Sequence, residues 1–178
     1  MNHHIESIMS AADRAYEEVE IRAVDYASTD AASLIEAANI DLATRYRAQL
    51  ADLGGSNTSG LQNEPSRFMP PHGNFFVAFL NGRPVGCGGW ASYGTSGAVG
   101  ELKKLYVLPE VRKCGIARRI LAASEGSARE NGRSRMILEA GTGQPEALKL
   151  YESCGYVVIE NYGYFRDIPE CRSYARNL

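Results

Sequence analysis

Apolar and polar residues alternate along Val19–Tyr26, with Val19, Ile21 and Ala23 set against Glu20 and Arg22, which is the two-residue period of a strand. The period then lengthens. Leu34, Ile35, Ala38, Leu42 and Tyr46 recur at three- and four-residue spacing and predict a helix from about Ala31 to Leu50, with N-cap side chains on offer at Ser28-Thr29-Asp30. Gly54 to Gly73 is rich in Gly, Ser, Asn and Pro and has no period, so it reads as a long loop. Phe75–Leu80 and Val85–Ser92 are β-rich runs around Asn81-Gly82-Arg83-Pro84, where Asn-Gly marks a hairpin. A second turn at Gly94-Thr95-Ser96-Gly97 leads to Val99–Leu108 and completes an antiparallel meander.

Beyond Pro109 the helical period returns. Ile116, Ile120, Ala123 and Ser127, beside Ala117, Leu121, Ser124 and Ala128, form a stripe that ends at Asn131-Gly132. Arg135–Ala140, with Met136-Ile137-Leu138, reads as a buried strand. Pro145 opens another helix with Ala147, Leu148, Tyr151 and Cys154 on one face and Gly155 closing it, and Tyr156–Glu160 and Arg172–Arg176 are the last strands. The order β-α-β-β-β-α-β-α-β-β predicts an α/β fold: a mixed sheet with helices on both faces. Residues 19–178 read as a single domain and 1–18 as a polar, mobile leader.

Composition narrows the classes of function. A chain of 178 residues suits one hydrophobic core. Lys+Arg total 19 against Asp+Glu 21, and the cations concentrate only around 103–119, which points to a local anion site and away from nucleic acid. Phe75–Leu80, the longest strongly apolar run, is too short to cross a membrane, and the N-terminus lacks the apolar stretch of a signal peptide. Cys87, Cys114, Cys154 and Cys171 are dispersed without a C-x-x-C pair, as expected of reduced thiols in a cytoplasmic protein. His3-His4 in the leader is weak support for a metal, and none is expected.

The chemistry concentrates between Leu105 and Ile120. A strand (Leu105-Tyr106-Val107) runs into Pro109, a basic turn with Arg112 and Lys113, and a helix starting near Gly115. Amides at a helix start lack intrahelical acceptors and, with the helix dipole, favour a phosphate or pyrophosphate. Gly115 admits close approach to the backbone and Ala117 leaves it open. The residues alone leave capping with a solvated basic face as the alternative. Neither G-x-G-x-x-G nor a Gly-Lys-Ser/Thr ending is present.

Val107-Leu108-Pro109-Glu110-Val111-Arg112-Lys113-Cys114-Gly115-Ile116-Ala117 resembles the signature [Arg/Gln]-x-x-Gly-x-[Gly/Ala] of the GNAT superfamily of acetyl-CoA-dependent N-acetyltransferases. A second segment, Ala147-Leu148-Lys149-Leu150-Tyr151-Glu152-Ser153-Cys154-Gly155-Tyr156, resembles that family's later helix, A-x-x-L-Y-x-x-x-G-[Phe/Tyr]. The resemblance implies a mostly antiparallel sheet of six to seven strands and direct transfer of acetyl from acetyl-CoA to an amine of a small molecule or protein, with no metal. It implies no nucleic-acid or membrane partner and is compatible with a homodimer.

Carried over by position, the resemblance places the pantetheine arm and acetyl carbonyl along Leu105 and Val107 and the pyrophosphate on Arg112, Lys113, Cys114, Gly115, Ile116 and Ala117. Tyr151 becomes the acid for the departing thiolate: a phenol of pKa about 10 can protonate a thiolate whose acid lies near about 8.5. Glu101, six residues before Val107, stands where some members carry the base; a salt bridge to Lys103 or Lys104 is the equal alternative. Alternation puts Glu101 and Lys103 on the face of Leu105 and Val107 unless a bulge intervenes. Gln144 replaces the family's Asn at a cofactor contact, and Cys114 stands where Gly is common. Arg45, Tyr46, Trp90, Tyr162, Phe165, Arg166 and Asp167 are candidates to line the acceptor site, with Trp90 also reading as core. Two other classes compete: a silent acyl-CoA-binding module, which would need neither Glu101 nor Tyr151, and a nucleotide-phosphate binder.

Overall fold

The computed structural model describes residues 19–47 and 64–178. The leader, the last residues of the helix expected to reach Leu50, and most of the expected Gly54–Gly73 loop lie outside them. Strands β1 (Val19–Ala23), β2 (Gly73–Leu80), β3 (Arg83–Tyr93), β4 (Val99–Val107), β5 (Arg135–Gly141), β6 (Val157–Ile159) and β7 (Cys171–Asn177) form one sheet in the order β1-β2-β3-β4-β5-β7-β6. Every neighbouring pair is antiparallel except β4–β5, which is parallel. The helices are α1 (Thr29–Arg45), α2 (Ile116–Glu130) and α3 (Pro145–Ser153).

Strand β2 shows why both faces are covered. Its Phe76 and Ala78 pack with Ile116, Ile120 and Leu121 of α2, and its Phe75, Val77 and Phe79 pack with Ala31 and Leu34 of α1. A fully buried Ile or Leu contributes about 2 kcal/mol, so the Ile116-Ile120-Leu121 stripe is the main anchor of α2. Tyr151, Ala147 and Leu148 bring α3 onto the α2 face. Trp90 belongs to this core: it is fully buried, donates from Nε1 to Ser127 Oγ at 3.1 Å, and carries the Arg133 guanidinium over its ring at 5.2 Å. It therefore lines no acceptor site.

The caps follow local chemistry. Ser28 Oγ accepts the Ala31 N–H at 3.4 Å, Pro145 occupies the first turn of α3, and Gly132 and Gly155 leave α2 and α3 at φ +83 and +82. β1 is shorter than expected because Asp25 turns the chain, its side chain accepting Ala27 N–H at 2.8 Å and its carbonyl Ser28 N–H at 3.0 Å. Within the region expected to be loop, a 3-10 turn at Pro65–Phe68 seats Phe68 in the core, stacked on Tyr26 at 4.4 Å. A single turn carries too few residues to show a period.

β4 contains the irregularity that shapes the site. Against β3, Cys87 pairs with Tyr106 but Gly89 pairs with Lys103, so β4 carries one extra residue, and Lys104 turns through φ +58. A β-bulge of this kind shifts the side-chain phase by one. Leu102 and Val107, an odd number apart, consequently share the α2 face. The strict alternation that would place Glu101 and Lys103 with Leu105 and Val107 does not hold, for this reason.

Candidate active site

Hydrogen bonding between β4 and β5 stops early. Val99, Gly100 and Glu101 pair with Arg135, Met136 and Ile137, and beyond them the two strands separate. The gap is a cleft of about 150 Å³, lined among others by Leu105, Tyr106, Leu138, Glu139, Gln144 and Tyr151. Leu108 N–H donates to Val85 O of β3 at 2.9 Å, so strand alternation turns the Val107 N–H the other way, toward the gap. The Val107 N–H is thus free to meet a group lying in the cleft, while the Val107 carbonyl is held by Arg112.

The loop at the end of β4 leads to the first turn of α2. Gly115 is the N-cap in the left-handed region at φ +76, preceded by Lys113 at φ +65, and no side chain caps the helix. The first intrahelical bond runs from Arg119 N–H to Gly115 O at 3.1 Å, leaving the amides of Ile116, Ala117 and Arg118 outside the α2 ladder. A Cβ at Gly115 would meet open space, so the glycine answers the backbone angle and leaves the approach clear. The two cations differ in use. Lys113 is exposed, whereas Arg112 folds back, donating from Nε to Val107 O at 2.9 Å and reaching Asp41 of α1 at 3.5 Å. The Cys114 thiol donates to Arg112 O at 3.2 Å, a packing role within the turn.

Tyr151 is buried in the cleft, with the rings of Tyr156 and Tyr174 at 5.9 and 6.2 Å. Burial raises its pKa, which keeps its proton in place at neutral pH. Gln144 precedes α3 and donates to Tyr46 OH at 3.4 Å. Tyr46 sits tightly over the β5–α3 loop: a Cβ at Gly141 would overlap its hydroxyl. Arg45 ties α1 to the same loop through Gly143 O at 3.2 Å and to the first turn of α3 through Glu146 at 2.7 Å.

Glu101 is 3 % exposed and its Oε1 is engaged twice, by Lys103 Nζ at 2.7 Å and by Tyr162 OH at 3.1 Å. The salt bridge weighed from the sequence is formed, and its partner is Lys103. Lys104 lies in the cleft wall with Nζ donating to Asn39 at 3.2 Å, its pKa lowered chiefly by burial. Tyr162 packs edge-on to Tyr93 at 5.1 Å. Phe165 meets Tyr164 edge-on at the surface, at 5.1 Å, and with Arg166 and Asp167 is not among the residues lining the cleft.

One residue of the site escaped sequence reasoning. Glu139 of β5 lines the cleft, its pKa raised to about 7 by desolvation, with Lys103 lowering it and Glu101 raising it. The available signal was a single carboxylate interrupting Met136-Ile137-Leu138 and Ala140.

Residues 41–156 match the model of the Acetyltransferase (GNAT) family. The chain belongs to the GNAT family. An IAA acetyltransferase of Azospirillum brasilense is 40% identical over 99 residues, 56% of this chain and 64% of that protein, so the match spans less than two thirds of the relative. The GNAT fold is shared with the PaiA N-acetyltransferase of Thermoplasma acidophilum in complex with coenzyme A (TM-score 0.67, 19% identity, 90% of this chain and 99% of that one). A GNAT family acetyltransferase of Elizabethkingia anophelis with acetyl-CoA bound gives TM-score 0.62 at 15% identity, covering 91% and 99%. In this GNAT chain the split strands, the uncapped α2 amides and the buried tyrosine fit an acyl-CoA thioester running from loop to cleft. Among the described residues no cluster of three or more His, Cys, Asp or Glu could hold a metal.

Proposed function

We propose that this GNAT chain is an N-acetyltransferase that moves acetyl from acetyl-CoA directly to an amine of a small molecule or protein. The observation that carries the reading is the cleft between β4 and β5, which brings the Val107 N–H and the Leu105 side of β4 to buried Tyr151. The pyrophosphate is held by the amides of Lys113–Ala117, with Lys113 the loop cation left to meet it; the Arg112 amide is spent on Pro109 O at 3.3 Å and its side chain braces β4. The pantetheine arm lies along Leu105 and Val107 beside Gln144. The Val107 amide, aimed into the gap, stabilises charge on the thioester oxygen as the amine adds. Tyr151 then gives its proton to the departing thiolate.

The decisive variant is Tyr151→Phe. Turnover, measured as thiol release where chemistry limits the rate, is expected to fall by about 10²-fold or more while acetyl-CoA affinity by calorimetry stays near wild type. Unchanged turnover would remove the tyrosine from the mechanism. Thermal protection by acetyl-CoA and not by ATP or NAD separates this reading from a nucleotide binder, and binding without thiol release from any amine would favour a silent module. The four unpaired cysteines support a cytoplasmic location, and no described helix is long and apolar enough to cross a membrane.

A further inference from the structure

The chain has four lysines, Lys103, Lys104, Lys113 and Lys149, and two of them, Lys103 and Lys104, line the cleft between β4 and β5. Those two are held differently. Lys103 Nζ sits 2.7 Å from Glu101 Oε1, in an ion pair largely withdrawn from solvent. Lys104 Nζ has a neutral partner, Asn39 Oδ1 of α1, at 3.2 Å, and no described carboxylate forms an ion pair with it. Lys113 and Lys149 are exposed. A half-buried lysine whose charge nothing answers is an unusual lining for a cleft that is to hold a thioester.

The bulge in β4 is what brings Lys104 there. Lys104 and Leu105 are the two residues that stand opposite Gly88 alone, and Lys104 turns through φ +58 to make room. Its carbonyl accepts from the Cys87 thiol at 3.5 Å, while its flexible stem follows the cleft wall toward α1. The cleft, of about 150 Å³, is only a few ångströms across, and Leu105 and Tyr151 line the same space. A thioester seated between Leu105 and Tyr151 thus lies within the swing of the Lys104 amine.

Burial also prepares that nitrogen. Desolvation lowers the pKa of Lys104, and the neighbouring Lys103 cation lowers it further. Cys87 is pushed up to about 12 by burial, so at neutral pH it stays a thiol and supplies no negative charge to oppose the shift. A desolvated lysine beside another cation loses its proton more readily and becomes a nucleophile.

We propose that Lys104 is a self-acetylation site, taking the acetyl group from acetyl-CoA bound in its own cleft when no amine acceptor is present. The inference rests on the acetyltransferase reading above. The ammonium form gives one proton to solvent, and the freed lone pair of Nζ attacks the thioester carbonyl. The C–N bond forms as the C–S bond breaks. The second proton lost from nitrogen balances the one the sulfur takes up, leaving acetylated lysine and free coenzyme A. The modified side chain carries no charge and keeps one N–H for Asn39.

The test incubates the full chain with acetyl-CoA and no amine, cleaves it after glutamate, and sequences by mass spectrometry the peptide Leu102–Glu110, which carries both cleft lysines. Lys149, exposed on α3 and outside the cleft, is the internal control. Lys104 should gain an acetyl group at least about tenfold faster than Lys149, at a rate per chain that does not change with protein concentration. Excess free coenzyme A should suppress the label at Lys104 and leave that at Lys149 unchanged. Lys104→Arg should remove the label from the peptide while keeping acetyl-CoA affinity within about threefold of wild type, which a misfolded variant would not match. Lys104 labelled no faster than Lys149, labelled at a rate that rises with protein concentration, or passed over in favour of Lys103, overturns the proposal. If ethanolamine, tyramine, spermidine or lysine amide then releases thiol catalytically, the acetyltransferase reading stands without it. No label at Lys104 and no thiol release with any of those amines overturns both.

Discussion

Glu139 leaves a mark on stability, and the sign can be worked out. In the unfolded chain the carboxyl ionises near 4.5, and in the folded protein near 7. Between those values the folded state binds more protons, so stability falls as pH rises through the window and levels off above it. Glu139→Gln removes the titration. Its Tm relative to wild type is therefore expected to rise from pH 5 to pH 8, and thermal melts across that range check the trend; a flat difference would contradict it. Glu139 was hard to find in the sequence because one charge inside Met136–Ala140 looks like an edge residue, and its value comes from neighbours on other strands. Tyr151 was legible because its neighbours along the chain form a motif.

At the scale of elements, the bulge in β4 and the first turn of α2 are the two departures from regularity that make a site. The bulge turns Lys104 to φ +58, a conformation that costs a non-glycine residue about 1 kcal/mol. Lys104→Gly should relieve that cost while losing the hydrogen bond to Asn39 and the packing of a half-buried side chain. The expected result is an unfolding free energy, from urea titration, within about 1 kcal/mol of wild type. A loss beyond about 1 kcal/mol would show that the lysine side chain holds the bulge. The helices and strands themselves were readable, since α2 carries its stripe at Ile116, Ile120 and Leu121 and the hairpin its Asn81-Gly82 turn. The bulge was only an alternative in the sequence, because pairing register depends on β3 as much as on β4.

For the whole molecule, the open split between β4 and β5 needs bracing, and α1 supplies it. Arg45 reaches Asp41 at 2.9 Å, Glu146 at 2.7 Å and Gly143 O at 3.2 Å, while Asp41 also meets Arg112 at 3.5 Å. One helix end thus ties the β4–α2 loop to the β5–α3 loop and the start of α3 across the cleft. Each pair is partly exposed, so Arg45→Ala should cost only about 1 kcal/mol. Its clearer effect should be faster amide exchange at Gly143–Leu148 than in β2 and β3, read by hydrogen-exchange mass spectrometry. Equal exchange in both regions would show that α1 does not hold the loop. Taken alone, the sequence determined the order of elements and the basic turn at Arg112–Ala117 that enters α2, because periodicity, caps and motif spacing are properties of neighbours along the chain. Tertiary structure decided that Arg112 turns inward, that Trp90 is core, and that Glu101 Oε1 is engaged twice while Glu139 Oε1 has no hydrogen-bond partner. Those outcomes depend on register, burial and partners brought together from distant segments, and a linear pattern records none of the three.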